Sequence, residues 1–334
     1  MVSSVLKTVK KPIFKVLASI TIIIVLLWII PLSELLDTLK NVSITVWLIV
    51  LGGFLIGHLL GAVKWRLLVN IEEELLPFLV AVQCYFAGLF SNLFLPSLAG
   101  GDVIKAGLAI HHNKKKSITI FATFLDRIID TCSIVFLIFV SAFFSPEFLQ
   151  PSHQRVVYII LGLFLLLFLS ALMFLFLPHD WVNKTSIRRV LLKAKNTIKL
   201  AFNNPVKLIV AFGLSLIIQS CFILLTIYLA IICEIEIPIV MWFLIWPLAK
   251  LFALLPISLG GIGVREAALA ALLSRLSIPV SNSVALGLLW NSILISGGLL
   301  GGVIYFGLKK YLSENSISLL SFAKDYKKIS DSDQ

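Results

Sequence analysis

The sequence predicts an all-α, polytopic membrane protein with six spanning helices and two re-entrant helical hairpins in an inverted repeat. Three observations point there: an apolar composition, a series of long apolar runs, and one glycine-rich motif written twice. The chain is 59% hydrophobic and 13% charged, with a mean hydropathy of +1.04. Soluble domains carry about 25% charged residues, so a soluble globular fold is excluded.

A hydrocarbon core takes roughly 20 apolar residues to cross. Six runs meet that need: Val16–Leu32, Ile44–Val63, Ile118–Phe144, Val156–Leu177, Leu208–Cys233 and Ser283–Leu308. Two further runs, Pro77–Leu95 and Pro238–Leu255, each lead into a copy of the repeated motif. The lysines before Val16 imitate a signal peptide, but no small-x-small cleavage pattern follows, so an uncleaved first helix is expected. The organisation is therefore one membrane domain, residues 1–312, and a polar cytoplasmic tail, residues 313–334. The four cysteines, Cys84, Cys132, Cys221 and Cys233, show no Cys-x-x-Cys spacing and read as packing residues.

The motif is Leu-Pro, three residues, Gly-Gly, three residues, cation. It runs from Leu95 to Lys105 and, without a gap, from Leu255 to Arg265. Charge distribution says how it is used. Cytoplasmic loops collect Lys and Arg. With the N-terminus inside, the inner loops hold the N-terminal lysines, Lys64 and Arg66, Lys114–Lys116, the cations between Lys184 and Lys207, and those after Lys309. The outside keeps only Lys40, Arg155 and Arg275. This bias survives only if each motif is a turning point, at Ala99-Gly100-Gly101 and at Gly260-Gly261. The first hairpin then dives from the inside and the second from the outside. The repeat halves cover about 13–145 and 156–308, and both termini are cytoplasmic in a cell (inner) membrane. The net charge of +11 is accordingly topogenic. It implies the anionic inner leaflet as the partner of the basic loops, and no nucleic acid.

An inverted repeat of this kind points to a midplane site at the repeat interface. Four cations remain at membrane depth, Lys105, Arg127, Lys250 and Arg265, and four acids, Asp102, Asp126, Asp130 and Glu266. Ions there cost about 2.5–3.5 kcal/mol each on the lenient insertion scale, which demands mutual pairing or a polar cavity. Asp126 and Asp130 share a helix face, and Arg127 is within reach of Asp130. The cluster is either a structural ion-pair knot or a substrate and proton site. At the turns, glycine permits φ > 0, and each resumed helix aims free N–H groups at the midplane. With Lys105 and Arg265 in the first turns, two such ends form an anion site. The expected binding residues are Gly100, Gly101, Asp102, Lys105, Asp126, Arg127, Asp130, Gly260, Gly261, Arg265 and Glu266.

Other features have structural readings. Gly53, Gly57 and Gly61 form a close-packing helix face, as do Gly297, Gly298, Gly301 and Gly302. His58 is expected to be a hydrogen-bonded core residue, and Gln219 and Asn291 interhelical links. His111-His112 lacks a ligand cluster, so no metal is expected, and no cofactor. The basic stretch from Trp181 to Lys207 is either an amphipathic surface helix or a solvated connector.

The stretches "FSNLFLPSLAGGDVIKA", "FLDRIIDTCSIV" and "ALLPISLGGIGVREAAL" resemble the lysylphosphatidylglycerol synthase transmembrane-domain family, also called the flippase-like domain family. The resemblance runs roughly from Ile44 to Phe306. Members are polytopic bacterial and archaeal membrane proteins, some carrying a cytosolic aminoacyl-transferase domain. The chain ends at Gln334, so the resemblance implies the membrane module alone and no aminoacyl transfer. Lys105 stands where arginine is expected in many members, which keeps the charge and loses the bidentate fork. The implied function is flippase-like: an anionic lipid, either a phospholipid or a polyprenyl-phosphate-linked glycan, held between the hairpins. The alternatives are a lipid-binding accessory protein that regulates a membrane glycosyltransferase and, third, an enzyme modifying headgroups. No nucleophile, base or metal set stands at ligand spacing, so a non-enzyme is expected.

Overall fold

The computed structural model describes residues 42–71, 76–95, 100–112, 116–144, 162, 203–253 and 261–332. Among these residues there is no strand. Eight helices follow in order: α1 (Ile44–Val69), α2 (Phe78–Ser91), α3 (Gly100–His112), α4 (Lys116–Phe144), α5 (Pro205–Ile232), α6 (Ile239–Ala253), α7 (Val264–Leu273) and α8 (Val280–Ser332). Four of the six expected spans are thus present as α1, α4, α5 and α8, each long and apolar enough to cross a membrane. Val16–Leu32 and, apart from Gly162, Val156–Leu177 lie outside the described residues, as do Gly260 and most of the basic stretch before Lys207. The backbone of α8 continues through the polar tail.

Local chemistry sets the boundaries. Ser43 caps α1, its hydroxyl accepting from the Thr45 N–H. Pro77 precedes α2, and Pro205 opens α5 at the position where a missing N–H costs nothing. Lys207 Nζ donates to the carbonyls of Asn70 at 2.7 Å and Ile71 at 3.0 Å, placing a cation at the C-terminus of α1. The outer surface is apolar: Val206, Ile209, Ile217, Leu224 and Ile231 along α5 are all exposed. In water such a face would be a liability; against lipid tails it is the expected surface.

The order long–short–short–long occurs twice, α1–α4 and α5–α8. Helix contacts repeat with it. α2 packs on α3 as α6 packs on α7, α2 lies against α8 as α6 lies against α4, and α1 meets α5 directly. Contacts along α1 and α5 run in opposite senses. Gly53 faces Leu225, Gly57 faces Phe222, and Asn70 meets Lys207. The first helices of the two halves are therefore antiparallel. The glycines make this approach possible: a Cβ on Gly57 would lie 2.5 Å from the Phe222 ring, and one on Gly53 2.7 Å from Leu225. Gly61 meets Tyr85, Gly297 meets Phe54, and Gly298 and Gly302 meet Leu93 and Phe90. Both glycine faces are packing surfaces, as expected. The four short helices measure 14, 13, 15 and 10 residues. At about 1.5 Å per residue each falls short of a 30 Å core.

Candidate functional site

The charged residues expected at depth converge in two groups, one per half. In the first half, α4 carries Asp126 and Asp130, which lie near the middle of that 29-residue helix. Lys64 of α1 pairs with Asp126 Oδ1 at 3.1 Å and makes a short contact with Asp130. Lys105 of α3 reaches Asp126 Oδ2 at 3.0 Å and Asp102 at 3.3 Å. Arg127 Nε pairs closely with Asp102. Ser215 of α5 donates to Asp130 at 2.5 Å. The ammonium of Lys105 also lies 4.9 Å from the centroids of both Trp65 and Tyr85. Among the described residues, three cations and three carboxylates thus balance across three helices, and Ser215 joins them from a fourth.

This arrangement corrects three expectations. Lys64 is not a cytoplasmic loop cation: α1 runs six residues beyond the predicted end at Val63, and Lys64 is 1% exposed. Its apolar stem and the carboxylates of α4 allow it to sit in the bundle, where a positional count by sequence put it outside. Lys105 falls in the second turn of α3, because that helix begins at Gly100. Arg127, expected to reach Asp130 on its own helix, forms its ion pair with Asp102 on α3.

The second group is smaller. Gly261 and Gly263 have φ of 80° and 86°, the left-handed turn expected of glycine there. Arg265 is in the first turn of α7, as expected, and hydrogen-bonds the Asn291 side-chain oxygen closely. Asn291 Nδ2 donates to Glu266 at 2.8 Å, and Arg265 Nε lies 3.6 Å from the same carboxylate. Lys250 of α6 donates to Gln219 of α5 at 2.7 Å and sits over the Phe222 ring at 5.6 Å. Asn291 and Gln219 are the interhelical links the sequence suggested.

One N–H at each of the two turns is already capped by a side chain of the chain itself. Asn92 Oδ1 accepts from the Gly101 N–H at 2.9 Å. Glu266 Oε2 accepts from the Gly263 N–H at 2.6 Å, half of a capping box since glycine returns nothing. Free N–H groups at these ends were the sequence-based reason for an anion site. These two donors have internal acceptors, so an anion at either turn would have to take different groups.

Two cavities share a wall. One, of about 120 Å³, opens onto the first ion network at Lys64, Asp102, Lys105 and Asp130. The other, of about 540 Å³, lies between the hairpins, with Asn92, Leu93 and Arg127 on one side and Trp246, Lys250, Ile262 and Arg265 on the other. Its outer part is made by Phe94, Ile295 and Leu299, all exposed apolar side chains. His58, Phe222 and Lys250 face both spaces. His58 departs from expectation: its Nδ1 is buried without a hydrogen-bond partner, and the ring packs among Phe54, Tyr85 and Phe222. Sequence reasoning missed Lys64 and left Lys250 out of the site. The signal available for Lys64 was its place three residues after Gly61 and seven after Gly57, on the face that α1 buries.

Among the described residues, no three His, Cys, Asp or Glu side chains group as metal ligands. The chain matches neither a curated protein nor a solved structure. The family model of the lysylphosphatidylglycerol synthase TM region matches residues 16–302, most of the chain and both halves of the repeat. With its apolar helices, its doubled hairpin and this match in view, the protein is a member of the lysylphosphatidylglycerol synthase transmembrane-region family.

Proposed function

We propose that the protein is a flippase-like lipid carrier that receives an anionic headgroup, of a phospholipid or a polyprenyl-phosphate-linked glycan, between its two hairpins. The observation that carries this reading is the larger cavity. It joins both halves of an antiparallel repeat, has cations on its wall, and ends at exposed apolar residues. A headgroup there would be screened from lipid tails while its chains left through the apolar side. Rocking of the halves would then expose the site alternately. In this reading the chain crosses a cell membrane six times, α2/α3 and α6/α7 are re-entrant, and both termini are cytoplasmic. The carrier performs no covalent chemistry and needs no cofactor.

Topology is tested by cysteine labelling in a cysteine-free background. Residues substituted at His112 and at Ser274, the exposed ends of equivalent helices, should label from opposite sides. Labelling from one side ends the inverted arrangement. Function is tested with purified protein in liposomes carrying a fluorescent anionic lipid. Leaflet exchange without headgroup change supports the carrier. Binding without exchange makes it an accessory protein, and headgroup turnover makes it an enzyme.

A further inference from the structure

We propose that Lys250 is the contact for the ligand's charge, and that the ligand is a lipid with a single negative charge on a phosphodiester. The inference rests on the lipid-carrier reading and adds which residue holds the charge and how much charge is held.

Charge balance at depth leads to it. Sequence alone counted four cations and four acids. The structure adds Lys64 to the interior, so cations outnumber acids by one among the described residues. The excess can be assigned. Lys64, Lys105 and Arg127 are paired with Asp102, Asp126 and Asp130, and Arg265 with Glu266. Lys250 makes direct contact only with the neutral oxygen of Gln219 and the face of Phe222; Asp130, which also acts on it electrostatically, is already held by Lys64 and Ser215. Its helix offers no acid between Ile239 and Ala253, and the adjoining turn, residues 254–260, has none in its sequence. A half-buried cation whose direct partners are neutral lacks most of its compensation. One negative charge would supply it.

Position agrees with this. Lys250 lies in the wall shared by the two cavities, together with His58, Asn92, Arg127 and Phe222. His58 Nδ1 has no partner there, and Asn92 shares the wall, so polar groups are at hand for the remaining phosphate oxygens. The larger cavity, at about 540 Å³, matches a small-ligand site but not a whole lipid, so the chains must leave it. Phe94, Ile295 and Leu299 supply an apolar way out. A phosphodiester carries one charge; a phosphomonoester carries up to two near neutrality. The seat has one uncompensated cation, and the first form matches it.

The test titrates purified protein in a neutral detergent with phosphatidylglycerol, read by native mass spectrometry. Wild type should hold one lipid tightly. Lys250→Met should weaken that binding on the order of tenfold or more, since a buried charge loses its partner. Lys250→Arg should keep most of it. Gln219→Glu should abolish it while Lys250 stays in place, because the protein then supplies the counter-charge itself. Glycerophosphoglycerol, the same headgroup without chains, should fail to compete; competition at equal concentration would make the seat one for a soluble phosphodiester and overturn the lipid assignment. Phosphatidic acid binding more tightly than phosphatidylglycerol at alkaline pH would overturn the single-charge assignment. If wild type binds and both Lys250→Met and Gln219→Glu bind equally well, this inference falls and the carrier reading stands. If wild type holds no anionic lipid in preference to a neutral one, both fall.

Discussion

The two hairpins begin from the same motif and end in different electrostatic environments. Around α2/α3, the cation of the motif, Lys105, is embedded in a network that draws on α1, α3, α4 and α5. Around α6/α7, the cation of the motif, Arg265, has one carboxylate and one amide, and a further cation, Lys250, has an amide alone. The long helices explain the contrast. In the first half α4 presents Asp126 and Asp130. In the second half α5 and α8 present Gln219 and Asn291 at the comparable interior. The network of the first half is neutral by its own residues, and the group in the second carries the positive charge left over. A repeat can thus keep its backbone plan while distributing its charge unequally, which is the basis for proposing one half as anchor and the other as receptor.

If that division holds, the largest losses should follow from unpairing the first network. Lys64→Met leaves the half-buried Asp130 and one oxygen of the buried Asp126 without their cation, at a cost of up to about 3–5 kcal/mol. The expected result is a strongly lowered melting temperature or no folded protein by fluorescence-detected size exclusion. Lys64→Met behaving like wild type would dissolve the anchor.

A backbone-level break comes next. Gly57→Val places a branched side chain against the Phe222 ring, where even a Cβ would be 2.5 Å away. Overpacking of this kind costs about 1–3 kcal/mol. Pairing it with Phe222→Ala should recover part of the loss in melting temperature, since the two changes meet at one contact.

In the second half, Asn291→Leu removes the amide that joins Arg265 to Glu266. Loss of a buried partner costs about 1–3 kcal/mol. The melting temperature should drop less than for Lys64→Met, and a larger drop would reverse the ranking of the two hairpins. Ser215→Ala should do least. It removes one donor from Asp130, which keeps Lys64, and interhelical hydrogen bonds in membranes average about 0.6 kcal/mol. A drop as large as that for Asn291→Leu would show that Ser215 positions Asp130.

Much of this was legible from residue order. Apolar runs long enough for a bilayer became α1, α4, α5 and α8, because burial of backbone polar groups leaves helices as the spanning form. The motif pair foretold two short-helix hairpins at equivalent places, and the positive φ at Gly261 follows from what only glycine adopts without strain. The glycine faces were visible from their spacing. These features are local: each depends on a run, a period or a residue type.

Which charge meets which was decided by tertiary structure alone. Lys64 and Arg66 are like charges two residues apart, yet Lys64 is buried against α4 while Arg66 donates to the Leu76 carbonyl at the helix end. Arg127 passes over its own helix to reach Asp102. The acceptors Asn92 and Glu266, not a ligand, take the N–H groups at Gly101 and Gly263. An ion pair depends on where two side chains end in space, and its energy falls off with distance in a medium of low dielectric constant. Residue order supplies the charges; only the packing of α1, α4, α5 and α6 determines that Lys64 joins them in the interior and that Lys250 is the cation with no carboxylate in contact.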